Sequence, residues 1–159
     1  MRRVAAAHFQ RIIHAPPERV YAALVDPAAV ARWRVPAAMS SEVHEFDARE
    51  GGAVRVSLTY DAPGRTGKSA GRTDTYHGRF VRLVPNELFV EVDEFETDDP
   101  ALRGEMTLSI RLAPAPGGAT ELRATHEGVP EAVPAADNEA GWREALARLA
   151  ALVEPPPTA

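Results

Sequence analysis

Residues 14 to 33 read HAPPERVYAALVDPAAVARW, and this stretch decides the fold. A proline costs nothing in the first turn of a helix, where its missing N–H has no helical partner, so Pro16 or Pro17 begins a helix. The pair Asp26-Pro27 ends this helix and begins a second one, which ends near Trp33. One face of the first helix carries the apolar residues Val20, Tyr21, Leu24 and Val25. The stretch therefore predicts two short helices.

Extended segments flank these helices. Residues 3–13 predict a first strand, and after Pro36 apolar and polar residues alternate with the period of two that strands show, which puts Val43 and Phe46 on opposite faces. Further strands are predicted at 54–60, 73–84, 88–95, 106–112 and 120–127. The turns between them are predicted at Gly51-Gly52, Pro85-Asn86 and Pro116-Gly117-Gly118. The pattern indicates about seven strands, joined mostly as hairpins.

The C-terminal segment changes to a helical period. One stripe carries Trp142, Ala145, Leu146, Leu149, Leu152 and Val153, and Asp137 or Asn138 is the expected N-cap. Pro155-Pro156-Pro157 ends the helix. An antiparallel sheet with one apolar face and a single amphipathic helix must bury those surfaces against each other. We therefore expect an α+β fold in which a curved antiparallel sheet surrounds a long C-terminal helix, with two short helices after the first strand.

Composition narrows the function classes. The 159 residues carry a net charge of −5, which disfavours nucleic acid as a partner, and they include no cysteine, which excludes disulfides and thiolate chemistry. No apolar run approaches the length of a membrane span, and we expect a cytoplasmic protein without a membrane contact. We expect one domain over 1–159 with its core at about 4–154, a mobile basic loop at 61–72 and a proline-rich tail at 155–159.

Several short motifs, in order along most of the chain, resemble a known family. They are Ala15-Pro16-Pro17-Glu18-Arg19-Val20-Tyr21, Asp26-Pro27, Arg32-Trp33, Tyr76-His77-Gly78, Pro85 and Gly141-Trp142. The sequence is similar to domains related to the activator of the Hsp90 ATPase, in the START-like (SRPBCC) helix-grip superfamily. This resemblance implies a hydrophobic pocket between the sheet and the C-terminal helix. It does not fix the activity, because one fold hosts many functions.

The predicted pocket would be lined by aromatic and apolar side chains of the sheet and the last helix. The candidates are Trp33, Tyr60, Tyr76, Phe80, Val92, Met106, Leu108, Ile110, His126, Trp142 and Leu146. Core packing is the alternative for each of them. His126 is in phase with Leu122 and Ala124, which places it on the apolar face, either bonded to a backbone carbonyl or in contact with a ligand. The run from Glu91 to Asp99 is interpreted as a strand with one solvated face, or else as a source of one carboxylate that orients a ligand.

Two short motifs match catalytic or phosphate-binding sites in their letters but not in their context, and the histidines do not indicate a metal site. Gly67-Lys68-Ser69-Ala70-Gly71 matches the string of a nucleophile elbow, but no strand precedes it and no helix follows it, and the same context excludes a phosphate-binding loop. The histidines, His8, His14, His44, His77 and His126, show no metal-ligand spacing. No catalytic residue, cofactor or metal is therefore predicted.

The leading hypothesis is a protein that binds a small hydrophobic or aromatic molecule between sheet and helix, with Tyr76 and His126 fixing its orientation. A second hypothesis is a cyclase-like or hydrolase-like enzyme that uses the same cavity, with His126 or an acidic side chain as acid or base. A third is a stress-related module that contacts a chaperone or another protein. A homodimer is left open as well.

Overall fold

In the computed structural model, which describes residues 6–61 and 73–156, seven antiparallel strands form one curved sheet. The strands are β1 (Ala7–Ile13), β2 (Met39–Phe46), β3 (Ala53–Tyr60), β4 (Thr73–Val84), β5 (Leu88–Phe95), β6 (Met106–Ala115) and β7 (Ala119–Glu127). Their order across the sheet is β1-β7-β6-β5-β4-β3-β2, so β5 is central and β1 and β2 are the edges. The predicted number of strands and the α+β class are confirmed.

Three helices cover one face of this sheet. They are α1 (Pro17–Leu24), α2 (Pro27–Trp33) and α3 (Ala135–Val153). Pro17 is the first residue of α1, and the Asp26 side chain caps α2 by accepting the N–H of Ala28 at 3.1 Å. The Trp33 indole N–H donates to the Ala23 carbonyl at 3.0 Å and so ties α2 to α1. The two short helices predicted after the first strand are confirmed.

The start of α3 corrects a prediction. The helix begins at Ala135 with Pro134 in the N-cap position, whereas Asp137 or Asn138 was the expected cap. No side chain caps the helix, and Asp137 lies in its first turn instead. A carboxylate there is still favourable, because it faces the positive end of the helix dipole. An acidic residue is favourable both at the N-cap and in the first turn, so Asp137 alone does not locate the start of the helix.

A β-bulge corrects the predicted alternation in β2. The register with β3 shifts between Val43 and Glu45, so one extra residue lies in this strand. Because a bulge reverses the phase of all that follows, Val43 and Phe46 both pack against the core instead of facing opposite sides. Strict alternation predicts the wrong face for one of them.

The core lies between α3 and the sheet face that we call the inner face. It is formed by alternate residues of the strands, among them Phe9, Ile13, Val54, Val56, Tyr76, Phe80, Phe89, Leu108, Ile110, Leu122 and Ala124. From α3 it receives Trp142, Leu146 and Leu149. Of the described helices, none combines the length and the apolar character that crossing a membrane requires. Except for Asp61, the predicted loop at 61–72 and its Gly67–Gly71 motif lie outside the described residues, as does the tail beyond Pro156.

Candidate functional site

A buried cation lies at the centre of the candidate site. Arg34 directly follows α2, and its side chain is only 12 % exposed. Its Nη1 donates to Glu91 Oε2 at 2.8 Å and its Nη2 donates to Asp93 Oδ2 at 3.2 Å. The side chains of Glu91 and Asp93 are 0 % and 6 % exposed. Arg34 is therefore the ion-pair partner of both carboxylates. The pairing matters because an unpaired charge at this depth costs several kcal/mol.

Aromatic rings surround this cation. The Arg34 Cζ lies 5.1 Å from the ring centre of Tyr76 and 5.4 Å from that of Trp142, within the range of cation–π attraction. The Trp142 indole N–H donates to His126 Nδ1 at 3.0 Å, and the two rings meet edge to face. We name these residues the Arg34 cluster, which consists of Arg34, Tyr76, Glu91, Asp93, His126 and Trp142.

The sheet register brings the cluster together. Glu91 on β5 is opposite Leu108 on β6, which is in turn opposite His126 on β7, so the three side chains form one row on the inner face. Asp93 belongs to the next row, where it is opposite Met106 and, on β4, Gly78. The strands thus supply the acceptors, while α2 supplies the cation and α3 supplies Trp142.

Gly78 leaves the space in which the Asp93 carboxylate lies. A Cβ atom at residue 78 would be 2.6 Å from Asp93 Oδ1 and would collide with the backbone carbonyl of Val92. No side chain fits there without displacing the strand or the carboxylate. The glycine in Tyr76-His77-Gly78 is therefore part of the site.

Three buried oxygen atoms of the cluster have no hydrogen-bond partner. They are Tyr76 Oη, Glu91 Oε1 and Asp93 Oδ1. A buried polar atom without a partner costs about 1–3 kcal/mol, so native interiors seldom keep several in one place. The three atoms surround one guanidinium group whose two terminal nitrogens already donate to carboxylates.

The cluster holds most of its protons tightly. Burial and the neighbouring Glu91 raise the pKa of Asp93 well above its usual range, although Arg34 opposes this. Burial also raises the pKa of Tyr76, so its phenol stays protonated. Burial alone would lower the pKa of Arg34, but Glu91 and its other neighbours raise it above the usual value. The cluster therefore contains a permanent cation, a protonated phenol and a pair of carboxyl groups in which a proton on Asp93 is favoured.

His126 is neutral at physiological pH. Its side chain is buried, with 8 % exposed. Burial, with a smaller contribution from Arg34, lowers the pKa of His126 to about 4. Its Nδ1 is the acceptor for Trp142, so it must lack a proton on that nitrogen. The partner of this nitrogen is thus a side-chain N–H, and the Asn138 side chain adds a hydrogen bond to His126 that partly opposes the lowering of its pKa.

This pKa predicts a specific loss of stability in acid. The unfolded chain takes up a proton at His126 near pH 6.5, whereas the folded protein takes it up only near pH 4. The unfolded state therefore binds more protons between these values, and the free energy of unfolding falls by about 3 kcal/mol from this group as the pH drops from 6.5 to 4, with no effect above. Urea denaturation across this range measures it.

Two matched variants separate the contribution of His126 to this pH dependence from that of the carboxyl groups, which titrate in the same range. His126→Gln keeps an acceptor for Trp142 and should remove this part of the fall in the free energy of unfolding between pH 6.5 and 4. His14→Gln, at an exposed position, should retain it. Equal pH profiles for His126→Gln and the unmodified protein would contradict a buried, neutral His126.

The structure places the predicted pocket residues in three groups. The first group, Tyr76, His126 and Trp142, belongs to the Arg34 cluster. The second group forms apolar surroundings on the inner face and α3 and consists of Phe80, Met106, Leu108, Ile110 and Leu146. The third group, Trp33, Tyr60 and Val92, lies elsewhere. Trp33 packs between α1 and α2, and Tyr60 lies half-buried at the end of β3. Val92 faces the outer side of β5, because its neighbours Glu91 and Asp93 face inward.

The sequence indicates the acidic residues of the cluster only as an alternative and does not indicate Arg34. The expectation of a solvated face is wrong for Glu91 and Asp93, which are buried. The signal was present, since both alternate in phase with Phe89 and Phe95 and so lie on the apolar face of the strand. Arg34 gave no comparable signal, because it follows a helix and its partners are 57 and 59 residues away.

The outer face of the sheet offers weaker candidates. Two surface grooves, of about 570 and 430 Å³, share Arg111 and Arg123, and no predicted pocket residue lines either of them. Neither contains a buried polar atom that lacks a partner. His77, also on this face, contacts Glu96 and Glu94 at 3.0 and 3.2 Å. Within residues 6–61 and 73–156, no group of side chains is arranged to hold a metal ion.

Comparisons with known proteins agree with the fold. The model of the family described as activator of Hsp90 ATPase homolog 1-like protein matches residues 14–154. A crystal structure of a protein from Chromobacterium violaceum has 40 % identity and a TM-score of 0.84, covering 94 % of this chain and 97 % of that one. A protein from Rhodobacter sphaeroides has 26 % identity and a TM-score of 0.75, with coverages of 92 % and 90 %. No curated protein is a significant match.

Proposed function

The chain belongs to the family of activator of Hsp90 ATPase homolog 1-like proteins, and from this premise we propose that it binds a small, largely apolar molecule between the inner face of the sheet and α3. The polar end of that molecule contacts the Arg34 cluster. Its apolar part packs against the surrounding side chains of β4, β6 and α3. The family alone would not fix this role, because a shared fold hosts many functions.

The observation that carries the proposal is the set of unpartnered oxygens, Tyr76 Oη, Glu91 Oε1 and Asp93 Oδ1. In a purely structural ion cluster, each buried acceptor would be expected to have a donor within the protein. Here the cation of the cluster, Arg34, donates to the other oxygen of each carboxyl group, Glu91 Oε2 and Asp93 Oδ2. A ligand that supplies hydrogen-bond donors removes an energetic cost that the empty protein bears.

The surroundings of the cluster fit an apolar ligand. Phe80, Leu108 and Ile110 are at most 1 % exposed and lie on the inner face beside it, and Leu146 of α3 is 3 % exposed. Small-molecule sites in proteins commonly combine a mostly apolar lining with a few converging polar groups. The Arg34 cluster and these side chains make that combination.

The two tryptophans provide an internal test. The Trp142 indole N–H donates to His126 inside the cluster, whereas the Trp33 indole N–H donates to Ala23 between α1 and α2. Titration of the ¹⁵N-labelled protein with 4-propylphenol should shift the Trp142 indole resonance and leave that of Trp33 in place. Shifts confined to the backbone of Arg111 and Arg123 would place binding in the outer grooves and contradict the proposal.

A second candidate function is acid–base catalysis at the same cluster. The raised pKa of Asp93, caused by burial and by Glu91, supports a carboxyl group that keeps its proton above the usual pH range of an aspartate and can donate it. His126 is the weaker candidate, because burial lowers its pKa to about 4 and its Nδ1 is taken by Trp142. Turnover that disappears in Asp93→Asn but persists in His126→Gln would favour this function over binding alone. The chaperone-contact alternative relies on residues 61–72, all but Asp61 outside the described part of the chain.

A further inference from the structure

We infer that the Arg34 cluster recognises an uncharged hydroxyl group, so that the ligand is a neutral phenol or alcohol with an apolar body rather than a carboxylate or an amine. This inference rests on the proposed function and specifies its ligand. It follows from which atoms of the cluster are already engaged, which are free, and what net charge the cluster carries.

The positive charge of Arg34 is already offset by two carboxyl groups. Arg34 donates from Nη1 to Glu91 and from Nη2 to Asp93, and its flat face lies near the rings of Tyr76 and Trp142. His126 adds no positive charge at neutral pH, because burial lowers its pKa to about 4. A ligand carboxylate would therefore meet two buried carboxyl groups without an unpaired cation to offset them.

The free atoms of the cluster need a donor. Glu91 Oε1 and Asp93 Oδ1 accept no hydrogen bond from an N–H or O–H group elsewhere in the protein, and the one proton that bonds Asp93 to Glu91 leaves further acceptor positions of the pair open. Tyr76 Oη, which also has no partner, can both donate and accept. A hydroxyl group matches this set, because it donates one hydrogen bond to a carboxyl oxygen and accepts one from the phenol. A carboxylate presents acceptors alone and offers no donor to the carboxyl pair.

The charge of the cluster favours a neutral ligand over a cation. One arginine faces two carboxyl groups, and burial together with Glu91 favours a proton on Asp93. The cluster with one shared proton is electrically neutral. An ammonium ligand would have to displace that proton or introduce an unbalanced buried charge, and either adds a cost that a hydroxyl group avoids.

A panel of four compounds of nearly equal shape tests the inference. The compounds are 4-propylphenol, propylbenzene, 4-propylbenzoate and 4-propylbenzylamine, each titrated at pH 7 with the Trp142 indole resonance as the readout. We expect 4-propylphenol to bind about tenfold more tightly than propylbenzene, as one or two added hydrogen bonds imply. The benzoate should bind more than about 100-fold more weakly than the phenol, because of like-charge repulsion.

A tyrosine pair supplies the control variants. Tyr76→Phe removes only the hydroxyl group in the cluster and should reduce the advantage of the phenol over propylbenzene about fivefold, while the affinity for propylbenzene stays unchanged. Tyr21→Phe, in α1, should leave both affinities unchanged. A Tyr76→Phe variant with an unaltered preference for the phenol would overturn the inference.

The other outcomes separate the inference from the function on which it rests. Equal affinity for 4-propylphenol and propylbenzene, or preferred binding of the benzoate or the amine, would retain the binding site and overturn the hydroxyl recognition. If none of the four compounds shifts the Trp142 resonance, the proposed function is wrong and the inference falls with it.

Discussion

Replacement of Arg34 by methionine should lower the free energy of unfolding by about 3–5 kcal/mol, because it leaves Glu91 and Asp93 buried without their cation. Methionine retains most of the length of the side chain, so the loss is mainly electrostatic. The measurement is urea denaturation at pH 7, followed by circular dichroism.

Arg32→Met is the matched control, because Arg32 lies two residues earlier in α2 and is exposed. Its effect should remain within about 0.5 kcal/mol, as for most surface substitutions. The triple variant Arg34→Met, Glu91→Gln, Asp93→Asn should recover at least half of the loss, since it removes the orphaned charges together with the cation. Equal effects of Arg34→Met and Arg32→Met would contradict a buried ion cluster.

Replacement of Gly78 by alanine should destabilise the protein by about 3 kcal/mol or more, at the upper end of overpacking effects. The added Cβ collides with the Val92 carbonyl, which belongs to the backbone of a central strand and cannot rotate away. It also approaches Asp93 Oδ1 to 2.6 Å, so the Arg34 cluster is disturbed as well. Denaturation of the purified variant, or its failure to accumulate as folded protein, measures the effect.

Gly141→Ala serves as the opposite control. A Cβ at this position of α3 meets no atom within 4 Å. Alanine should therefore stabilise the helix by about 0.5–1 kcal/mol, because glycine loses more backbone entropy on folding. If both glycine substitutions destabilise the protein to a similar extent, the close approach at Gly78 is not the cause of its effect.

The strands and helices could be predicted from the sequence because their signals are local. Pro17 and Asp26-Pro27 mark helix ends by covalent geometry and capping, and the alternation around Leu108 and Ile110 reflects a single buried face. The errors also have local causes. A bulge between Val43 and Glu45 reverses the phase of β2, and nothing in a strict period of two announces such an extra residue.

The candidate site could be predicted only in part. Tyr76 is predicted from its aromatic side chain, and His126 and Trp142 are predicted because each lies on an apolar face of its own element. For the run from Glu91 to Asp99, the sequence leaves open a solvated face or one carboxylate that orients a ligand, because an acidic side chain is buried only where it has a partner. That partner, Arg34, is brought close by the docking of α2 on the sheet, which is a tertiary event that no local pattern encodes.

The position of β5 at the centre of the sheet has a consequence for how a ligand enters. Glu91 and Asp93 project from a strand that is hydrogen-bonded to β4 on one side and to β6 on the other, so their backbone is among the least adaptable parts of the molecule. Arg34 and Trp142, in contrast, come from helical segments that the sheet ladders do not hold. We expect the acceptors to form a rigid template, while rearrangement of α2 and α3 supplies the opening and closing motion.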